Sequence, residues 1–85
     1  MFKIGRVINY YEKVGLALVE LENTLAVNDN IRFTFNNQDL FSQKVEVIQV
    51  GHAKVVSAKR GDMIALKTNE KVIKGTEIFK AGSMG

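Results

Sequence analysis

Ser57-Ala58-Lys59-Arg60-Gly61-Asp62-Met63-Ile64-Ala65-Leu66 reads as a tight turn that feeds a half-buried strand, and this reading decides the fold. Gly61 can take the positive φ that a sharp reversal needs, and Asp62 can hydrogen-bond neighbouring backbone as the chain re-enters the sheet. Ile64 and Leu66 then share one face of the strand, while Ala65 and Lys67 share the other. The same device recurs in Val27-Asn28-Asp29-Asn30-Ile31 and in Lys74-Gly75-Thr76-Glu77-Ile78. In each, a residue that tolerates left-handed geometry precedes a short polar one, and an Ile stands three positions after it. The chain is punctuated by turn-into-strand units.

The remaining segments fit the same grammar. Residues 3–11, rich in branched and aromatic side chains, read as a first strand. Glu12-Lys13-Val14-Gly15 is a hairpin turn. In residues 16–21, Ala17, Val19 and Leu21 line one face, and Leu18 and Glu20 the other, a mixed face expected to be partly exposed. Leu25 and Val27 lead into the Asn28-Asp29 turn. Ile31-Arg32-Phe33-Thr34-Phe35 alternates most cleanly, with Ile31, Phe33 and Phe35 inward. Asn36-Asn37-Gln38-Asp39 is a turn, so this strand and the next should pair as a hairpin.

Between residues 40 and 50 the parity changes. Phe41, Gln43, Val45 and Val47 share one face, but Ile48 and Val50 belong to the other, which predicts a β-bulge near residues 46–48. Residues 51–54 are irregular, Val55 and Val56 form a short apolar patch, 63–68 is a strand, 69–71 a bend and 77–80 the closing strand. No segment keeps a 3.6-residue period over three turns. Six or seven short strands at this spacing mean a sandwich or a barrel. With 85 residues and no cysteine, packing alone must stabilise the chain, which closure into a barrel would serve. The expected architecture is all-β: a small, mostly antiparallel sandwich or barrel in residues 1–80, followed by a flexible small-residue tail, 81–85.

Composition limits the function classes. At 46% hydrophobic and 25% charged, the chain reads as an ordinary globular domain. Val14-Gly15-Leu16-Ala17-Leu18-Val19 is the longest apolar run, far short of the ~20 residues a membrane helix needs. Met1-Phe2-Lys3-Ile4-Gly5-Arg6 has no apolar core of the secretory type. Both features lead to the expectation of a cytoplasmic protein with no membrane partner. Net charge is +3, with five basic and six acidic residues in 1–46 against seven and three in 47–85. Such an excess suits either a polyanion contact or a solvated Lys-rich surface.

Catalytic constellations do not emerge. No Gly-x-x-x-x-Gly-Lys-Ser/Thr loop is present to cradle phosphates, so GTP binding is not expected. His52 is the only histidine, too few for a His-based metal site, and no carboxylates cluster to replace it. Ser57 lacks both a nearby His and a Gly-x-Ser-x-Gly elbow. Glu20 and Glu22 lie one strand step apart, which suits solvated strand-edge charges better than acid/base work. Arg60-Gly61-Asp62 spells an adhesion tripeptide but is explained by the turn it makes. The chain is expected to be non-enzymatic, with no metal and no cofactor. Tyr10 and Tyr11 are consecutive on a strand, so they face opposite ways. The exposed ring, with Lys13 nearby, is a candidate to stack a base beside a phosphate contact.

Five elements occur in an order that resembles domain two of the translation GTPases, such as elongation factor Tu and the initiation factors. They are Gly5-Arg6-Val7, Val27-Asn28-Asp29-Asn30-Ile31, Val45-Glu46-Val47, residues 56–66, and Lys74-Gly75-Thr76-Glu77-Ile78-Phe79. Comparable G-x-V, V-G-D-x-I, A-x-x-G-D-x-V-x-L and G-D-x-L elements mark that domain. The match spans nearly the whole chain and resembles above all the short stand-alone translation elongation factor-like proteins, and also the similar barrel appended to collagenase-like peptidases. Asn28 stands where the family has Gly, Thr76 where it has an acidic residue, and Gln49 about where tRNA-binding members carry Arg. The resemblance implies a closed barrel of the translation-protein type and an RNA-interaction role (tRNA or rRNA) in translation or tRNA modification. Its candidate contacts here are Tyr10, Tyr11, Lys13, Lys54, Lys59, Arg60, Lys67, Lys71 and Lys74. The alternative is a protein–protein adaptor barrel that touches no nucleic acid; a small-molecule site is disfavoured because side chains fill so small an interior. If the alternation places Phe33 in the core, Phe33→Ala should cost about 3–5 kcal/mol in chemical denaturation.

Overall fold

The computed structural model describes residues 3–81, in which the chain forms ten β-strands. In chain order these are β1 (Lys3–Tyr11), β2 (Leu16–Leu21), β3 (Leu25–Ala26), β4 (Asn30–Phe35), β5 (Gln38–Lys44), β6 (Ile48–Val50), β7 (Ala53–Val55), β8 (Ser57–Ala58), β9 (Met63–Lys67) and β10 (Glu77–Lys80). Eight of them make one sheet in the order β5-β4-β10-β1-β2-β9-β6-β7, and β3 pairs with β8 in a second. Every pairing is antiparallel. Among the described residues no helix is long and apolar enough to cross a membrane.

The all-β, antiparallel expectation holds, but the ladder does not close: the sheet ends at β5 on one side and β7 on the other. Beyond Lys44 the main chain turns to other partners. The Val45 N–H donates to the Asp29 carbonyl (2.8 Å) and the Val45 carbonyl accepts from the Asn28 N–H (2.8 Å). A side chain bridges the gap between β5 and the end of β9. The buried Gln43 amide donates from Nε2 to the Lys67 carbonyl (2.9 Å), and its Oε1 accepts from the Asn69 N–H (2.7 Å). The strand count also exceeds six or seven: β3 and β8 are only two residues long and carry too little pattern to be read, the strand expected over 40–50 is split into β5 and β6, and β7 begins in the stretch expected to be irregular.

Two further expectations are corrected by register. The parity change after residue 44 is an interruption between β5 and β6 and not a bulge at 46–48. The bulge in β5 lies at Leu40, because Phe33 faces Phe41 while Thr34 faces Asp39. Ile8 is the equivalent extra residue in β1, between the Val7–Val19 and Asn9–Leu18 pairs. Such insertions sharpen the twist that curls a sheet over its core. The β4–β5 turn is shorter than the four residues expected. Asn36 (φ 52°) and Asn37 (φ 65°) make it alone, so Gln38 already pairs with Phe35. Positive φ at both central residues is the I′ geometry that matches strand twist.

The three turn-into-strand units share one hydrogen-bond design. Asn28, Gly61 and Gly75 hold φ of 81°, 91° and 94°. A positive φ at the third position is the type II pattern. In each turn the fourth residue closes the loop with its N–H: Asp29 to the Ala26 carbonyl (3.1 Å), Asp62 to Lys59 (3.0 Å) and Thr76 to Ile73 (3.1 Å). The side chain of the same residue accepts from the N–H of the first. These bonds are Ala26 N–H to Asp29 Oδ2 (2.9 Å), Lys59 N–H to Asp62 Oδ2 (3.0 Å) and Ile73 N–H to Thr76 Oγ1 (3.4 Å). Two residues later Ile31, Ile64 and Ile78 are fully buried.

Those isoleucines join Ile4, Val7, Val19, Leu21, Phe33, Ile48 and Leu66 in one core, with Phe41 stacked on Phe33 at 4.5 Å between ring centroids. Val72, in the irregular segment before β10, also belongs to the core. At Gly5 the β1 backbone approaches β2 so closely that a Cβ would run into the Glu20 carbonyl. The Ala81 N–H donates to the Asn30 carbonyl (2.9 Å); residues 82–85 of the expected tail, like Met1 and Phe2, lie outside the described residues. Because an added Cβ at Gly61 meets nothing within 4 Å, only its positive φ opposes substitution. Gly61→Val should therefore cost about 1–3 kcal/mol in chemical denaturation. Asp62→Ala, which leaves the Lys59 N–H without its side-chain acceptor, should cost about 1–2 kcal/mol.

Candidate functional site

Directly opposed residues in neighbouring strands share a face of the sheet. The row Tyr10-Ala17-Leu66-Ile48-Val55 crosses β1, β2, β9, β6 and β7 on the core side. Its neighbours point outward. One outer row is Asn9-Leu18-Ala65-Gln49-Lys54, and beside it lies Tyr11-Leu16-Lys67. Nearer the other end of the same strands is Arg6-Glu20-Met63. Leu16, Leu18 and Ala65 are half-buried, whereas Tyr11 and Met63 are 47% and 45% exposed. The outer face thus has an aliphatic centre, built because residues 16–19 are apolar at every position and cannot all turn inward.

A groove of about 250 Å³ adjoins this face, lined by Val27, Val47, Ile48, Val55 and Val56, with Glu46 and Lys54 at its polar positions. Ile48 and Val55 belong to the core-side row, so the groove opens on the core side of β6 and β7 and meets the outer face only round the β7 edge, where Lys54 ends the longer outer row. Val56, between β7 and β8, is 78% exposed. A second, open cleft of about 480 Å³ at the opposite end is walled by Lys3, Glu20, Glu22, Asn23 and Arg60.

Charges are distributed unequally over these surfaces. Arg6 pairs with Glu20 across the β1–β2 ladder (3.4 Å). Lys3 is held between Glu77 (2.9 Å) and Glu22 (3.4 Å). The hydrogen bond to Glu77 is the main reason its pKa is raised, with partial burial opposing and Glu22 adding to the rise. Lys71 pairs with Glu12 (2.8 Å) at the β1–β2 hairpin. Lys54 and Lys67 have no carboxylate within ion-pair distance among the described residues. Nor do three or more His, Cys, Asp or Glu side chains come together there as a metal-binding group.

The nine candidate contacts read from sequence do not share one face. Tyr10 packs its ring against the core and Tyr11 points outward, so the pair splits as its spacing requires. Lys13, Lys67 and Lys71 lie toward the β1–β2 hairpin, where the Thr68 N–H donates to the Gly15 carbonyl (3.2 Å). Lys59 and Arg60 occupy the turn at the opposite end of β9, a strand about 17 Å long. Lys54 is on β7, and Lys74 lies with Arg6 beside a small depression at the Gly75 turn. Sequence reading did not bring Lys54, Gln49 and Ala65 onto one row with Leu18, because three successive ladders set that alignment. The apolar outer positions Leu16 and Leu18 were the available signal.

No protein-family model matches the chain. It is 32% identical over 77 residues to an uncharacterized protease of Methanocaldococcus jannaschii, covering 91% of this chain and 19% of that protein. It is 30% identical over 78 residues to a collagenase of Porphyromonas gingivalis, covering 91% and 22%. The chain spans about a fifth of the length of the curated relatives it matches. Among solved structures it is similar to the C-terminal domain of a Geobacillus thermoleovorans protein provisionally assigned as a U32 peptidase. The TM-score is 0.87 at 20% identity, over 94% of this chain and 100% of that one. A second structure of that domain gives 0.86 over 93% and 91%. At this identity the likeness is one of fold.

These relatives overturn the translation elongation factor-like reading and, with it, the RNA-interaction role in translation or tRNA modification. The likeness lies with proteases, on the side of the collagenase-like peptidases. The physical reason for this correction is that the matching motifs are type II turns entering strands, a local geometry that this chain uses three times and that specifies no partner. Electrostatics at the hairpin supply a measurable consequence. Lys71 holds the Glu12 carboxylate below its ordinary value, chiefly through their hydrogen bond. The ion pair is therefore present above the usual Glu range and is lost as pH falls through the depressed value. An NMR titration should find the Glu12 midpoint below that of an unpaired Glu, and Lys71→Met should return it to the ordinary range.

Proposed function

We propose that this chain is an accessory β-domain of a U32-type peptidase, one that holds polypeptide for a separate catalytic part and does not itself cleave. The observation that carries this reading is the extent of the match. Nine-tenths of the chain aligns with proteases, yet it accounts for only about a fifth of each. The fold likeness to a C-terminal peptidase domain and the half-exposed aliphatic outer face support the same role. The chemistry of the chain agrees with it: one histidine, no cysteine, and a Ser57 with no sequence signature of a nucleophile.

The test compares cleavage of fluorescent gelatin and of a short fluorogenic peptide by three proteins. They are the Porphyromonas gingivalis collagenase, the same enzyme lacking its 78 matching residues, and this chain alone. The expected result is no turnover by this chain, and a several-fold rise in KM for gelatin in the truncated enzyme with short-peptide cleavage retained. Turnover by this chain that His52→Ala or Ser57→Ala abolishes would overturn the reading. Gelatin cleavage unchanged by the truncation would overturn it equally.

A further inference from the structure

We infer that the outer face of β1-β2-β9-β6-β7 binds a polypeptide segment that is aliphatic at its centre and flanked by carboxylates. The face supplies what such a segment needs. Leu16, Leu18 and Ala65, all half-buried, offer an apolar floor.

Charge selects the flanks. Lys54 and Lys67 border the aliphatic centre, and neither has an acidic partner within ion-pair distance among the described residues. Glu20 and Glu77, the acids aligned with Arg6, are already paired with Arg6 and Lys3. Lys13, in the hairpin two residues from Tyr11, has no carboxylate within ion-pair distance among the described residues, and its neighbour Glu12 is held by Lys71. An approaching carboxylate therefore meets an unpaired positive rim, whereas an approaching lysine meets repulsion with little to relieve it. Lys54 and Lys67 are both exposed. This selectivity rests on the polypeptide-holding role proposed above but not on which catalytic part accompanies the chain, so a failed peptide titration and a failed gelatin comparison are distinguishable.

The test is an NMR titration of the 85-residue chain with acetyl-Glu-Val-Leu-Val-Glu-amide and with its lysine-flanked counterpart. The carboxylate-flanked peptide should shift the amides of Leu16, Leu18 and Ala65 and bind about tenfold tighter than the other. The Lys54→Glu/Lys67→Glu variant should reverse that order. Shifts confined to the Lys3–Arg60 cleft, equal affinity for the two peptides, or no shifts at millimolar peptide would each overturn the inference.

Discussion

A side-chain oxygen that reaches back three residues to a main-chain N–H holds each of the three sharpest turns in the chain, at Asp29, Asp62 and Thr76. That closure fixes the phase in which the following strand enters the sheet, and so decides that Ile31, Ile64 and Ile78 point into the core. The turns are also fastened to distant strands. Asn28 and Asp29 exchange backbone bonds with Val45, Gly61 and Asp62 with Leu21, and Gly75 and Thr76 with Val7. Thr76 departs from the acidic pair for a physical reason. It is fully buried, where an ionised carboxylate would carry a large desolvation cost, and a hydroxyl makes the same contact at 3.4 Å without charge.

Because these closures are local, they were legible in the sequence. So were the buried positions with a strict period of two: Ala17, Val19 and Leu21, or Ile64 and Leu66. What could not be read depends on partners far along the chain. The extra residues Ile8 and Leu40 are visible only once register is known. Val72 is followed by Ile73, and no periodicity marks which of the two is core; the structure buries Val72 and leaves Ile73 50% exposed. Gln43 looked like one more inward position, yet its amide replaces ladder bonds between β5 and β9. The candidate site was legible in its components and not in its assembly. Leu16 and Leu18 advertised an apolar outer face, but only the β2–β9–β6–β7 registers bring Lys54 to its rim.

The two edges of the sheet are guarded, which concentrates recognition on its face. β7 is three residues long and carries Lys54, while β5 is interrupted by the Leu40 bulge and ends in Lys44. Short edges, bulges and lysines all discourage a foreign strand from adding to a ladder. The outer aliphatic rows have no such protection beyond the lysines at their border. Tyr11 and Met63 close the two ends of this surface, each nearly half exposed. Both have bodies that adapt to an apolar neighbour while tolerating water.

The place of β10 has a consequence for how the protein is made. It lies between β1 and β4, so the last strand in chain order joins the β5-β4 hairpin to the rest of the sheet. A ribosome emits residues at about 5–20 per second, so everything up to β9 is exposed to solvent before this strand appears. During that interval the nascent chain holds two unfinished pieces, a hairpin and a four- or five-strand curl, each with an open flank. The Ile73–Thr76 turn emerges just ahead of β10 and can latch onto Val7, placing the final strand beside β1 before it meets β4. Completion of the sheet is in this sense a delayed event, set by the order of synthesis.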